Sequence, residues 1–173
     1  MKKIIILVGV LIVLGVGAAT FLRNSGSPAM QPGEEASLDK APDFSLKDYQ
    51  GNTVSLADFA GVPLVINSWA AWCPFCIDEL PDFAAVQKEL GDKVVIIAID
   101  RAESLATSKR YTDDLEVTND LVFLLDPGDS FYRSIGGFSM PETIFVDREG
   151  NIRDHKRGPM DVEEIRERIQ KIL

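Results

Sequence analysis

The only two cysteines of the chain stand in Trp72-Cys73-Pro74-Phe75-Cys76, with two residues between them. A thiol attacks only as its thiolate, and a free cysteine is mostly protonated near neutral pH. A helix N-terminus favours the thiolate through its unpaired N–H groups and the positive end of its dipole. Cys73 is expected at such a helix start, as the exposed attacking thiol. Cys76, one turn in and on the same face, is expected as the shielded resolving thiol. Pro74 suits the first turn, where a missing N–H costs nothing. The chemistry of this pair is interconversion of dithiol and disulfide.

Two other uses of the cysteines are weaker. Structural zinc takes about four ligands, and the chain has two Cys and a single histidine, His155, far along the sequence. No metal and no cofactor is expected. A purely structural disulfide over so short a loop would remove little entropy from the unfolded chain.

The elements that must position the pair follow from the apolar pattern. Leu64 to Trp69 is a continuous apolar run, as is Val94 to Ile99, and both suit strands of a sheet covered on two faces. Between them, Leu80, Phe83, Ala84, Val86 and Leu90 recur at helical spacing. The helical spacing holds over Cys76 to Leu90, with a kink expected at Pro81 and the end at Gly91. Phe44 to Leu46 and Thr53 to Ser55 form a hairpin around Gly51-Asn52, and Leu56 to Phe59 one helical turn. A second helix is expected over Glu103 to Val117 and a strand over Leu121 to Leu125. After the turn at Asp126-Pro127-Gly128 come a short helix, Ser130 to Ile135, and a second hairpin, Thr143 to Val146 with Ile152 to His155. Asp161 caps a last helix with Val162, Ile165, Ile169 and Ile172 on its apolar face. From Leu64 the order is β-α-β-α-β-α-β-β-α, an α/β layered domain.

The N-terminus is of another kind. Ile4 to Leu22 is 19 residues without a charge, long enough to cross a hydrocarbon core. Lys2 and Lys3 precede it, which places the N-terminus in the cytoplasm and the remainder outside. The competing reading is a cleaved signal peptide, with Gly17-Ala18-Ala19 at the cleavage site. The apolar run continues past that point and favours an uncleaved anchor. Either way the domain is exported, to surroundings where disulfides persist. Residues 1–22 are thus the anchor or signal segment, 23–41 a flexible linker, and 42–173 one domain.

The net charge is −9. Residues 1–23 hold three of the 18 basic side chains and no acid, so the rest carries 15 against 27, or −12. Such a domain repels nucleic acid and anionic lipid, so membrane contact falls to the N-terminal segment.

Trp69-Ala70-Ala71-Trp72-Cys73-Pro74-Phe75-Cys76 resembles the thioredoxin active site. Ala41-Pro42-Asp43-Phe44-Ser45-Leu46 and Glu79-Leu80-Pro81 resemble the membrane-anchored, extracytoplasmic TlpA-like branch. That branch includes thiol-disulfide reductases of cytochrome c maturation. Gly137-Phe138-Ser139-Met140-Pro141-Glu142-Thr143 resembles its cis-proline loop.

The resemblance implies a thioredoxin-like fold: a central mixed sheet flanked by helices, with an N-terminal β-hairpin and a central insertion. It implies a cis bond before Pro141 and a Met140 backbone free to pair with an extended substrate. It makes Glu79 the acid that exchanges protons with the thiols, since Asn67 stands where thioredoxin has a buried Asp. Trp72, Pro74, Phe75, Phe138, Met140, Pro141 and Glu142 become the substrate-binding surface. Phe138 lacks the hydroxyl often found at its position; its alternative is a core aromatic, and that of Glu142 a strand-edge charge. Trp69 is expected in the core.

The partners implied are an exported protein with a disulfide or dithiol, such as apocytochrome c, and a membrane electron donor. The protein is expected to be a monomer. The leading reading is a reductant of exported protein disulfides; Phe75 stands where many such reductases carry proline, so a disulfide-forming oxidant stays open as the alternative. A peroxidase is disfavoured, because Ser68-Trp69-Ala70-Ala71-Trp72 lacks the Thr or Ser pattern before a peroxidatic cysteine. A non-catalytic binding module would keep the pair locked as a disulfide.

Overall fold

The computed structural model describes residues 39–173, so the expected anchor and most of the expected linker lie outside the described residues. Among the described residues no helix is long and apolar enough to cross a membrane.

Strand β3 (Leu64–Trp69) is buried along its whole length. Its side chains alternate between two faces. Leu64 and Ile66 pack with Ile97, Ile99, Leu124 and Ile144, whereas Val65 packs with Phe83, Val86, Phe145 and Ile165 on the other side. Each such side chain contributes roughly 1.5–3 kcal/mol on burial. The run carries apolar residues on both faces because both are covered, and Asn67 and Ser68, equally buried, are its two polar members.

Six strands complete the sheet: β1 (Ser45–Asp48), β2 (Thr53–Ser55), β4 (Val95–Arg101), β5 (Val122–Asp126), β6 (Glu142–Val146) and β7 (Ile152–Arg157). Their order is β2-β1-β5-β4-β3-β6-β7. The centre, β3 to β4 to β5, is parallel. β6 and β7 on one side, and β1 and β2 on the other, are antiparallel. The parallel pairs require crossovers, supplied by helices α1 (Pro74–Leu90) and α2 (Leu105–Asp114). Helices α3 (Ser130–Ser134) and α4 (Val162–Ile169) complete the set.

Local chemistry sets the ends. α1 starts at Pro74 with Cys73 as its N-cap in extended backbone, as expected. The helix continues through Pro81 to Leu90 and stops at Gly91, whose φ of 56° favours glycine. The Ser104 hydroxyl accepts from Thr107 N–H at 3.1 Å, so α2 begins later than Glu103. Asp161 accepts from Glu164 N–H at 2.9 Å and caps α4, as expected. α4 packs on α1, with Ile165 and Ile169, and Ile172 beyond the helix end, against Phe83 and Val86.

Residues 39–41, read as the end of the linker, are bonded to the β6–β7 turn. Ala41 N–H donates to the Gly150 carbonyl at 3.0 Å and Ile152 N–H to the Asp39 carbonyl at 2.8 Å.

Candidate active site

β3 ends at Trp69, a tight turn follows, and α1 begins. Cys73 N–H donates to the Ala70 carbonyl at 3.0 Å, and Cys76 N–H to the Cys73 carbonyl at 3.1 Å. These bonds put both cysteines on the first turn of α1, as free thiols. Cys76 is fully buried, and Cys73 is only 2% exposed. The expectation of an exposed Cys73 is therefore corrected. Its side chain joins an apolar cluster with Trp69, Leu80, Ala84 and Phe123, against which Met140 packs. Burial pushes the Cys76 thiol well above its usual range; contact with Cys73 and the charge of Glu79 push the same way. Trp72, Pro74 and Phe75 around the thiols are exposed.

Glu79 lies three residues beyond Cys76 and is buried. Its Oε1 accepts from Met160 N–H and its Oε2 from Asn67 Nδ2, both at 3.0 Å. The same Asn67 nitrogen donates to Thr143 Oγ1 at 3.0 Å. Burial raises the Glu79 carboxyl to about 8, although these donors and Lys156 pull it down. A carboxyl poised there can hold or release a proton near neutral pH.

The Met140–Pro141 peptide bond is cis, as expected. Pro141 is buried. The Ser139 carbonyl accepts from the Tyr132 hydroxyl and the Pro141 carbonyl from Gly158 N–H, both at 2.9 Å. The loop comes close to α3 only because Gly137 has no side chain. A Cβ there would lie 2.4 Å from the Tyr132 ring.

Glu142 is neither a strand-edge charge nor open to a substrate, since it is fully buried. Its Oε2 accepts from Phe138 N–H at 2.8 Å and Ser139 N–H at 3.1 Å. Its Oε1 accepts from Arg157 Nε at 3.0 Å and lies 2.7 Å from His155 Nε2. Burial works against the charge, but the two loop N–H groups and His155 outweigh it and hold the carboxyl below its usual range. Glu142 thus fastens the loop. Phe138 is not a core aromatic: it is 87% exposed and, with Trp72 and Phe75, is one of the large apolar side chains left open to solvent. Trp69 is buried, as expected, beside Tyr111 and Phe123.

Three polar residues near the thiols escaped the sequence reading. Asp100, at the end of β4, is fully buried. Burial first, then contact with Glu103, raises its carboxyl to about 8. Glu103 Oε2 accepts from Ala71 N–H at 2.7 Å. Tyr111 packs on the cysteine cluster, and its buried hydroxyl has no hydrogen-bond partner. Burial, then Cys76 and Cys73, raises that phenol to about 12. An acidic turn and a lone tyrosine carry no sequence signal for this site.

Residues 36–172 match the family described as Redoxin. The thiol:disulfide interchange protein DsbE of Allochromatium vinosum is 35% identical over 79% of this chain and 75% of its own length. The thiol-disulfide oxidoreductase ResA of Bacillus thuringiensis subsp. konkukian is 28% identical over 99% of both chains. Among solved structures, a DsbE-type thiol:disulfide interchange protein of Chlorobium tepidum superposes with a TM-score of 0.71 at 25% identity, over 77% of this chain and 94% of that one. A thioredoxin-like sheet, a dithiol at a helix N-terminus and a cis-proline loop against it agree with these relatives: the chain belongs to the redoxin family and is a thiol-disulfide oxidoreductase.

Proposed function

We propose that the domain works outside the cytoplasm as a reductant, held to the membrane by residues 1–22. Its substrates are disulfides of exported proteins such as apocytochrome c. The observation that carries the reading is the free, buried dithiol at the start of α1 with the buried Glu79 one turn on. A dithiol becomes a strong oxidant when its reduced form is stabilised. Here burial disfavours the Cys76 thiolate, so that thiolate is no source of oxidising power. The uncharged run from Ile4 to Leu22, and an alignment with the ResA relative that covers 99% of both chains, support the tether.

The Cys73 thiolate attacks one sulfur of the partner disulfide. That S–S bond breaks, the leaving sulfur takes a proton, and Cys73 is left in a mixed disulfide. Cys76 gives its proton to Glu79 and attacks the Cys73 sulfur. The partner leaves reduced, and Cys73–Cys76 is left oxidised. A membrane dithiol protein supplies the two electrons that restore the pair. The free Met140 backbone and the aromatic side chains Trp72, Phe75 and Phe138 receive the partner as an extended segment.

The test is the reduction potential of the full chain against a glutathione buffer. A value close to about −270 mV agrees with the proposal, and one close to about −120 mV makes the protein an oxidant. A Cys76→Ser chain should accumulate mixed disulfides through Cys73. Captured partners lacking exported cysteine proteins would sink the substrate assignment.

A further inference from the structure

The turn that presents Cys73 is tied to the end of β4 by one side chain. Ala71 N–H donates to Glu103 Oε2 at 2.7 Å, and Glu103 N–H donates to Asp100 Oδ1 at 3.1 Å. Asp100 is fully buried and lies beside Trp69 in the β3–β4 register. Its Oδ2 has no donor, yet its side chain is in hydrogen-bond contact with that of Glu103.

An ionised buried carboxylate with an unpartnered oxygen is heavily penalised. Ser108 and the Glu103 N–H lower that cost, but Oδ2 keeps no donor. The Tyr49 hydroxyl faces Asp100, and the Tyr111 hydroxyl faces Glu103 together with Cys73, Cys76 and Asp78. Tyr49 and Ser108 already bond each other at 2.6 Å. Arg101, next in the chain, is committed to Asp129 by two bonds of 2.7 Å. A proton on Oδ2 removes the charge and makes that atom a donor. Carboxyls in contact ionise in two steps rather than together.

We propose that Asp100 and Glu103 share one proton, and that the shared proton positions the Cys73 turn through the Ala71 N–H. Asp100 and Glu103 are then positioning residues for the thiol exchange, a role that rests on Cys73 being the attacking thiol. Loss of the proton at higher pH sets two like charges against each other. Glu103, partly exposed, moves toward solvent, Ala71 loses its acceptor, and Cys73 reacts more slowly per thiolate.

The experiment follows iodoacetamide alkylation of Cys73 in the reduced full chain by peptide mass spectrometry across pH, beside a ¹³C carboxyl NMR titration. The wild type should show Asp100 protonated at neutral pH and a second inflection in the alkylation profile above it. Asp100→Asn keeps a donor toward Glu103; its neutral-pH rate should stay within about twofold and the second inflection should vanish. Asp100→Ala and Glu103→Ala should each lower the neutral-pH rate by about tenfold, the scale of a displaced nucleophile.

Asp100 ionised at neutral pH, with its free oxygen turned to Trp69 Nε1, overturns the proposal. So does an Asp100→Asn profile identical to the wild type or as slow as Asp100→Ala. A wild-type Cys73 that resists alkylation at every pH overturns the nucleophile reading instead, and the carboxyl titration still decides the shared proton.

Discussion

Asn67 Nδ2 donates to Glu79 Oε2 across 3.0 Å and joins the middle of β3 to the first turns of α1. The amide cannot take up a proton, so the titrating group at this junction is the carboxylate. The other amide atom, Asn67 Oδ1, has no partner, which leaves the amide free to reverse if its neighbour becomes a donor.

Glu79→Gln tests that arrangement. The folded carboxyl sits at about 8 against an ordinary 4.5. Between those values the native state holds the extra proton, so this group lowers stability as pH rises through the window. The substitution removes the slope, and Asn67 reverses to accept from the new amide. Thermal unfolding should show the wild type losing stability from pH 5 to 8 relative to the variant. Resolution of the mixed disulfide should slow on the order of 10²-fold, the usual scale of a lost acid–base group. A parallel stability profile in both proteins would contradict the assignment.

Glu142→Ala should act on the loop. It strands two N–H groups, of Phe138 and Ser139, and leaves Arg157 and His155 without their carboxylate. Leaving such donors without their acceptor costs roughly 1–3 kcal/mol. Urea unfolding should read that loss, and KM for a protein disulfide should rise more than kcat falls.

Phe138→Ala removes a side chain that is 87% exposed. Stability should stay within about 0.5 kcal/mol. Turnover of a protein disulfide should fall while that of a small disulfide such as oxidised glutathione holds. Equal loss on both substrates would show that Phe138 is no docking group.

Gly137→Ala places a methyl group within 2.5 Å of the Tyr132 ring. Overpacking of this kind costs about 1–3 kcal/mol. Tyr132→Leu in the same chain should recover part of that loss, so the two costs should fall short of additive.

The fold could be read wherever a pattern was local. The apolar run of β3, the Cys-Pro start of α1 and the cap at Asp161 depend on neighbours in sequence. β4 was expected to end at Ile99 because Asp100 and Arg101 are polar. They continue the strand, as the ladder pairs them with Leu125 and Asp126. The site was legible in its residue types but less so in their surroundings. Cys73 is covered by a cluster drawn from several elements, which no local pattern announces. Glu142 meets Arg157 only through β6–β7 pairing. Asp100 and Glu103, in Asp-Arg-Ala-Glu, look like an ordinary solvated turn until β4 buries the first and Ala71 engages the second.

The bonds of Asp39 and Ala41 to the β6–β7 turn give the domain two poles. β6 runs against β3, with Val146 beside Leu64 and Glu142 beside Ser68. The turn that receives the incoming chain therefore lies past the start of β3, and the thiols lie past its end. The six residues of β3 put about 20 Å of strand between them. The polypeptide arrives at one pole and the sulfur chemistry opens at the other, so a partner can reach the dithiol without displacing the segment by which the domain is joined to residues 1–38.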